Sequence, residues 1–172
     1  FLFELGRQSR HLSRSVLQGL PGHPRITALK GLIYAGISLP QSENYLVQGM
    51  NGLENQSACQ LYPDGGHVSR NPKIQMDFLR DLLGIRAALL TAYFIAPNWL
   101  NQAISRMASM LQGMRMGDGG LARFNGAGSE EPREIGKLLS KVKLRGKAPS
   151  AYLHSGFYRL ETGKTILIMD AG

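Results

Sequence analysis

The sequence predicts a mainly α chain that turns to β only near its C-terminus. Three observations carry this: apolar stripes at helical spacing through residues 1–116, a Gly-rich change of texture at Gly117, and one hairpin pattern after residue 150. Residues 1–20 read as a first helix, with Leu5, Leu12, Val16 and Leu20 on one face and Pro21-Gly22 as its stop. Arg25 to Leu39 reads as a second, with Pro24 at its start and Ile26, Leu29, Ile33 and Ile37 inward. Ser42 is placed to cap a third by accepting a backbone N–H, and Leu46, Met50, Leu53 and Leu61 mark its buried side.

Pro63-Asp64-Gly65-Gly66 is a turn, because Pro presets φ and Gly permits positive φ. Asn71 then suits a cap and Pro72 a first helical position. The fourth helix runs from Pro72 to about Ile95, with Ile74, Phe78, Leu82, Ile85, Leu89 and Ala92 inward, and Pro97-Asn98 breaks it. Trp99 to Met116 is a fifth, burying Leu100, Ala103, Met107, Met110, Leu111 and Met114, where methionine fills a core. Gly117 to Gly128 has few helix formers, and one short helix is expected around Ile135 to Val142. Phe157 to Leu160 and Thr165 to Met169 then form a hairpin with Gly163 in its turn. A lone hairpin is marginal in water, so it is expected to open a larger sheet. Antiparallel helices joined by short loops point to a bundle or a helical toroid.

Composition bounds the function. A length of 172 residues suits a single core without staples, and 43% hydrophobic with 19% charged residues excludes disorder. The single Cys59 excludes an internal disulfide and is expected to be buried and inert. The longest apolar run, Gly31 to Leu39, is shorter than the roughly 20 residues of a membrane span. No Cys/His cluster has zinc-ligand spacing, so no metal and no cofactor is expected. Lysine and arginine number 20 against 12 acids, a net charge of +8, which points to an anionic partner: nucleic acid, acidic polysaccharide or an anionic membrane surface. Nucleic acid is disfavoured, because no helix-turn-helix or RNA-binding aromatic motif accompanies the charge. The chain opens on Phe1-Leu2-Phe3-Glu4 without Met or a signal-peptide pattern, and closes on Asp170-Ala171-Gly172 after a strand-like run. A piece of a longer protein is therefore expected.

Two groups of residues stand out by type. Arg7, Arg10, His11 and Arg14 fall at i, i+3, i+4 and i+7 of the first helix. Like charges at that spacing repel, which an anionic ligand would offset; the plain alternative is a solvated face. The second group is Asp64-Gly65-Gly66-His67-Val68-Ser69-Arg70-Asn71-Pro72. Its glycines turn the chain sharply and set His67, Arg70 and Asn71 on a loop running into a helix. There a His could move a proton, and an Arg or Asn could hold a carboxylate. The alternative is a structural loop with Asn71 simply capping. The Lys137, Lys141, Lys143, Arg145, Lys147 run reads as a solvated segment.

The second group resembles the motif D-G-G/S-H-x-E-R-S/N-P of the heparinase II/III-like polysaccharide lyases, particularly bacterial ones. Gly117-Asp118-Gly119-Gly120-Leu121-Ala122-Arg123-Phe124-Asn125-Gly126 is similar to the family's segment after its last toroid helices. His154-Ser155-Gly156-Phe157-Tyr158-Arg159-Leu160 and Thr165 to Gly172 resemble the first strands of its β-sandwich. The three blocks keep order over nearly the whole chain. The resemblance implies the C-terminal helices of an α/α toroid at 1–116, a linker with one short helix at 117–150, and the first hairpin of an antiparallel β-sandwich at 151–172.

It also implies a chemistry. In β-elimination at a uronic acid, Asn, Arg or His neutralises the carboxylate, a base removes the C5 proton, and Tyr or His protonates the leaving oxygen. On this resemblance His67 is the candidate base, and Arg70, Asn71, Arg123, Asn125 and His154 are candidate substrate-binding residues. The partner is an acidic polysaccharide of the glycosaminoglycan kind. The resemblance also implies periplasm or cell envelope, with the oligomeric state left open. The departures are specific. Ser69 stands where the family often has Glu, and Ile74 where many members have a proton-transferring Tyr. A His-bearing strand of the family's sandwich would lie beyond Gly172. The expectation is therefore a lyase in its full-length form, with this chain alone inactive, or else a member that binds acidic polysaccharide without cleaving it.

Overall fold

The computed structural model describes residues 2–17, 19, 22–144 and 146–172. The expected roles of Leu20, Pro21 and Arg145 lie outside the described residues. The element order is α1 (Leu2–Leu17), α2 (Gly22–Ser38), α3 (Glu43–Gln60), α4 (Pro72–Thr91), α5 (Asn98–Gly113), α6 (Pro132–Leu139), β1 (Ala151–Tyr152), β2 (Phe157–Thr162) and β3 (Thr165–Asp170). The fold is mainly α with its strands at the C-terminal end, as the apolar periodicity predicts. No described helix is long and apolar enough to cross a membrane. The residues group into two compact units, Phe1–Cys59 with Asp81–Leu100, and Gln60–Arg80 with Asn101–Gly172.

In the first unit α1 packs on α2. Val16, Ala28, Leu29 and Leu32 form a buried cluster, with Leu12 and Tyr45 against it. Ser13 Oγ donates to Gln48 Oε1 at 2.6 Å and Gln48 Nε2 donates to the Ser13 carbonyl at 2.9 Å, tying α1 to α3. α2 and α3 approach closely at Gly36, where a Cβ would lie 2.7 Å from Leu46 Cα. Ser42 does not cap α3 as expected. Its hydroxyl donates to the carbonyls of Ala35 and Leu39 at the end of α2, the first of which also accepts the Leu39 N–H. Within α4, Leu82, Ile85 and Leu89 are buried. The helix stops at Thr91, short of the predicted end, because Tyr93 turns left-handed (φ 60°) and the Phe94 N–H reaches back to the Leu89 carbonyl. Cys59, expected to be buried, is exposed.

The second unit contains two turns of one design. After α3, the Gly66 N–H donates to Asp64 Oδ1 at 3.1 Å, Gly65 has φ 88°, and Leu61 bridges His67. After α5, the Gly120 N–H donates to Asp118 Oδ1 at 2.8 Å, Gly119 has φ 84°, and Arg115 bridges Leu121. The Asp side chain mimics a backbone acceptor and the first Gly takes the left-handed conformation. Met107, Met110, Leu111 and Met114 are buried, as the stripe on α5 predicts. β1, β2 and β3 form one antiparallel sheet in that order, with Thr162 opposite Thr165 across the tight turn. The predicted hairpin is thus extended by a two-residue strand.

Side chains lock this sheet to α5. Arg159 Nη1 on β2 donates to the carbonyls of Gly113 (3.0 Å) and Arg115 (2.6 Å), at the negative end of the helix. Tyr152 Oη donates to the Ser109 carbonyl at 2.9 Å, and its ring lies where a Cβ on Gly113 would go.

Candidate functional site

The motif loop between α3 and α4 lies in the second unit. Asn71 caps α4: its Oδ1 accepts the N–H of Lys73 (2.8 Å) and of Ile74 (3.1 Å). This start sets which side of α4 turns inward. The buried residues of its first turns are Pro72, Gln75, Met76, Phe78 and Leu79, while Ile74, expected in the core, is 36% exposed. The inward side of this first turn therefore includes a polar residue, Gln75, after the buried Pro72.

Gln75 anchors the loop. Its Oε1 accepts the His67 N–H at 2.8 Å, and its Nε2 donates to the carbonyls of Gly65 (2.8 Å) and Met107 (3.2 Å). Both ends of the buried amide are satisfied, as burial requires. His67 is itself buried, with its ring edge-on to Phe78 at 5.9 Å. The Ser69 N–H donates to His67 Nδ1 at 3.0 Å, and Ser69 Oγ lies 2.8 Å from the same nitrogen. An N–H donor at Nδ1 means that nitrogen carries no proton. The neutral ring therefore carries its proton on Nε2, which faces Gln60 Oε1 at 3.1 Å. Both ring nitrogens of the candidate base are bonded within its own loop and the end of α3.

Arg70 occupies the left-handed region (φ 53°), uncommon for a side-chain-bearing residue and sustained only by its surroundings. Its Nη2 forms an ion pair with Asp170 Oδ1 on β3, and its guanidinium lies 5.3 Å from the Phe157 ring centroid. The buried Nε has no hydrogen-bond partner among the described residues. Asn125, also left-handed (φ 51°), completes the cluster. Its Nδ2 donates to the Arg70 carbonyl (3.0 Å) and to Asp170 Oδ2 (3.2 Å), while its own carbonyl accepts from Asn71 Nδ2 (2.9 Å). A cavity of about 10 Å³ lies among His67, Arg70, Gln75, Met110, Met114 and Phe157. That is room for one water and none for a sugar.

His67, Arg70, Asn71 and Asn125 are thus brought together. Arg123 and His154 are exposed. His154 is linked to the motif only through its backbone: its N–H donates to Asp64 Oδ2 at 2.9 Å. Sequence reasoning missed Gln60, Asp64, Gln75 and Asp170. A polar Gln75 one position after Ile74, in phase with Phe78 and Leu82, was the signal available for one of them. Nearby, burial pushes the Tyr152 hydroxyl up to about 12, so it stays protonated. Among the described residues, no three His, Cys, Asp or Glu side chains gather as a metal ion would require.

Comparison with solved structures decides the fold. A heparinase III gene product superposes on 93% of this chain with a TM-score of 0.77 at 18% identity. A second heparinase III crystal structure superposes on 98% with a TM-score of 0.78 at 14% identity. The fold is heparinase III-like. The chain spans 30% and 32% of those two structures, so the heparinase III-like likeness concerns about a third of each. No family model matches the chain. FtsZ-localized protein C of Caulobacter vibrioides is 30% identical over 173 residues, which cover 99% of this chain and 30% of that protein.

Proposed function

We propose that this chain is the non-catalytic part of a heparinase-like protein that binds acidic polysaccharide. On this reading, residues 1–116 belong to the helical toroid, 117–150 link it onward, and 151–172 open the sandwich. Any β-elimination by the full-length protein then draws its acid and base from outside this chain. The observation that carries this reading is His67. A general base must reach the proton it abstracts, yet both ring nitrogens here are bonded to Ser69 and Gln60. Two further features agree: the adjoining cavity holds only a water, and an exposed Ile74 stands where a proton-transferring Tyr was expected. The net charge of +8 supports a polyanionic ligand. The test offers heparin, heparan sulfate and alginate to the protein and follows the absorbance of unsaturated uronate. Salt-sensitive binding is expected, with no product formation that depends on His67. Product formation abolished by His67→Ala would overturn the reading and restore His67 as the base.

A second reading rests on the curated relative. Identity to FtsZ-localized protein C runs through nearly the whole of this chain and exceeds that to either heparinase III. On this reading the chain shares an FtsZ-associated location, with the lyase-like fold serving as a scaffold. Co-sedimentation with FtsZ polymers tests it, and a protein that stays in the supernatant counts against it.

A further inference from the structure

We infer that the polyanion site is the basic face of α1, formed by Arg7, Arg10, His11 and Arg14, and not the arginine of the motif loop. This rests on the polysaccharide-binding reading above and assigns it a surface. Arg70 is poorly placed for an incoming carboxylate, because the Asp170 carboxylate already occupies its Nη2 and Asn125 holds Asp170 there. The α1 face is open to solvent. Arg7, Arg10, His11 and Arg14 are all exposed. Arg7 pairs with Glu4 at 2.8 Å, the one acid in this helix, while no acid pairs with Arg10 or Arg14 among the described residues.

The opposite face of α1 is already used. Ser9 and Val16 are buried and Leu12 packs on the Val16 cluster. An amphipathic basic helix can insert into a lipid surface only if its apolar side is available. Among the described residues, the exposed side carries the four basic residues and a single large apolar residue, Phe3, which fits a soluble polyanion laid along the helix better than insertion into a bilayer. Arg7 to Arg14 extends roughly 10 Å along the axis, so a linear chain of carboxylates or sulfates can meet several cations in succession. A groove of about 510 Å³ opens beside Glu4, Arg7, Gln8, His11 and Leu12.

The experiment measures heparin binding by the protein at low and at raised salt. It compares the wild type, the combined variant Arg7→Gln/Arg10→Gln/Arg14→Gln, and Arg70→Gln. Glutamine keeps helix propensity, and relief of like-charge repulsion offsets the lost Glu4–Arg7 pair, so the triple variant is expected to melt close to the wild type. Its affinity should fall by about tenfold or more and lose most of its salt dependence. Arg70→Gln should bind heparin as the wild type does, even where it melts lower. A triple variant that binds like the wild type overturns the assignment while leaving the polysaccharide reading intact. A wild type that does not bind heparin overturns both. Binding to phosphatidylserine vesicles but not to heparin, lost in the triple variant, would transfer the face to membranes and overturn the proposal.

Discussion

Asp64 and Ser155 are joined by two hydrogen bonds to one oxygen: Asp64 Oδ2 accepts the Ser155 N–H at 2.8 Å and the Ser155 hydroxyl at 3.0 Å. The His154 N–H makes a third at 2.9 Å. The first residue of the motif thus fastens its loop to the turn between β1 and β2.

That fastening predicts a stability effect. Asp64→Ala leaves the Ser155 N–H and hydroxyl, the latter in a buried residue, without their acceptor. A loss of about 2–4 kcal/mol is expected, since hydrogen bonds to a charged group are the stronger kind and their loss strands the donors. Urea denaturation checks it. Wild-type stability for Asp64→Ala would mean that water replaces the carboxylate at no cost.

Gln75 predicts a separate loss. Gln75→Leu fills a similar volume but removes the acceptor of the His67 N–H and the donor to two carbonyls. The cost expected is about 2–3 kcal/mol. The same variant should disturb the His67 ring, whose neutral Nε2–H tautomer is directly readable in the wild type by nitrogen NMR. A wild-type spectrum showing the proton on Nδ1 would contradict the hydrogen-bond assignment.

Tyr152 predicts an alkaline limit. Burial raises its hydroxyl to about 12 in the folded protein, against about 10 when unfolded. Between those values the folded state holds a proton that the unfolded state has released. Stability from this group is therefore complete below pH 10 and falls as pH rises toward 12. Melting temperatures across that range should drop less steeply for Tyr152→Phe, which cannot ionise. An equal slope in both proteins would refute the assignment.

Arg159 predicts the strength of the α5–sheet lock. Arg159→Met keeps much of the stem but removes the donor to the Gly113 and Arg115 carbonyls. A loss of about 1.5–3 kcal/mol is expected, as for hydrogen bonds to a charged group. Arg159→Lys should recover part of it, because the ammonium reaches one carbonyl but cannot fork. Equal stability of the Met and Lys variants would argue that a positive charge there contributes nothing without the guanidinium fork.

The sequence by itself determined the mainly α class, the hairpin, the turn at Pro63-Asp64-Gly65-Gly66 and the Asn71 cap. Each depends on residues within about one turn of one another, so periodicity and local hydrogen-bond chemistry suffice. The basic face of α1 was legible for the same reason, as a spacing on one helix. Only the tertiary structure decided that Ile74 faces out and Gln75 in, that Asp170 neutralises Arg70, and that Arg159 closes the end of α5. The partners of Asp64 stand 90 and 91 positions away, and no local pattern encodes such a pairing. A charged or polar side chain takes its role from whichever group folding brings to it. The same His67 and Arg70 that read in sequence as a base and a carboxylate clamp are held in the folded chain by Gln60, Ser69 and Asp170.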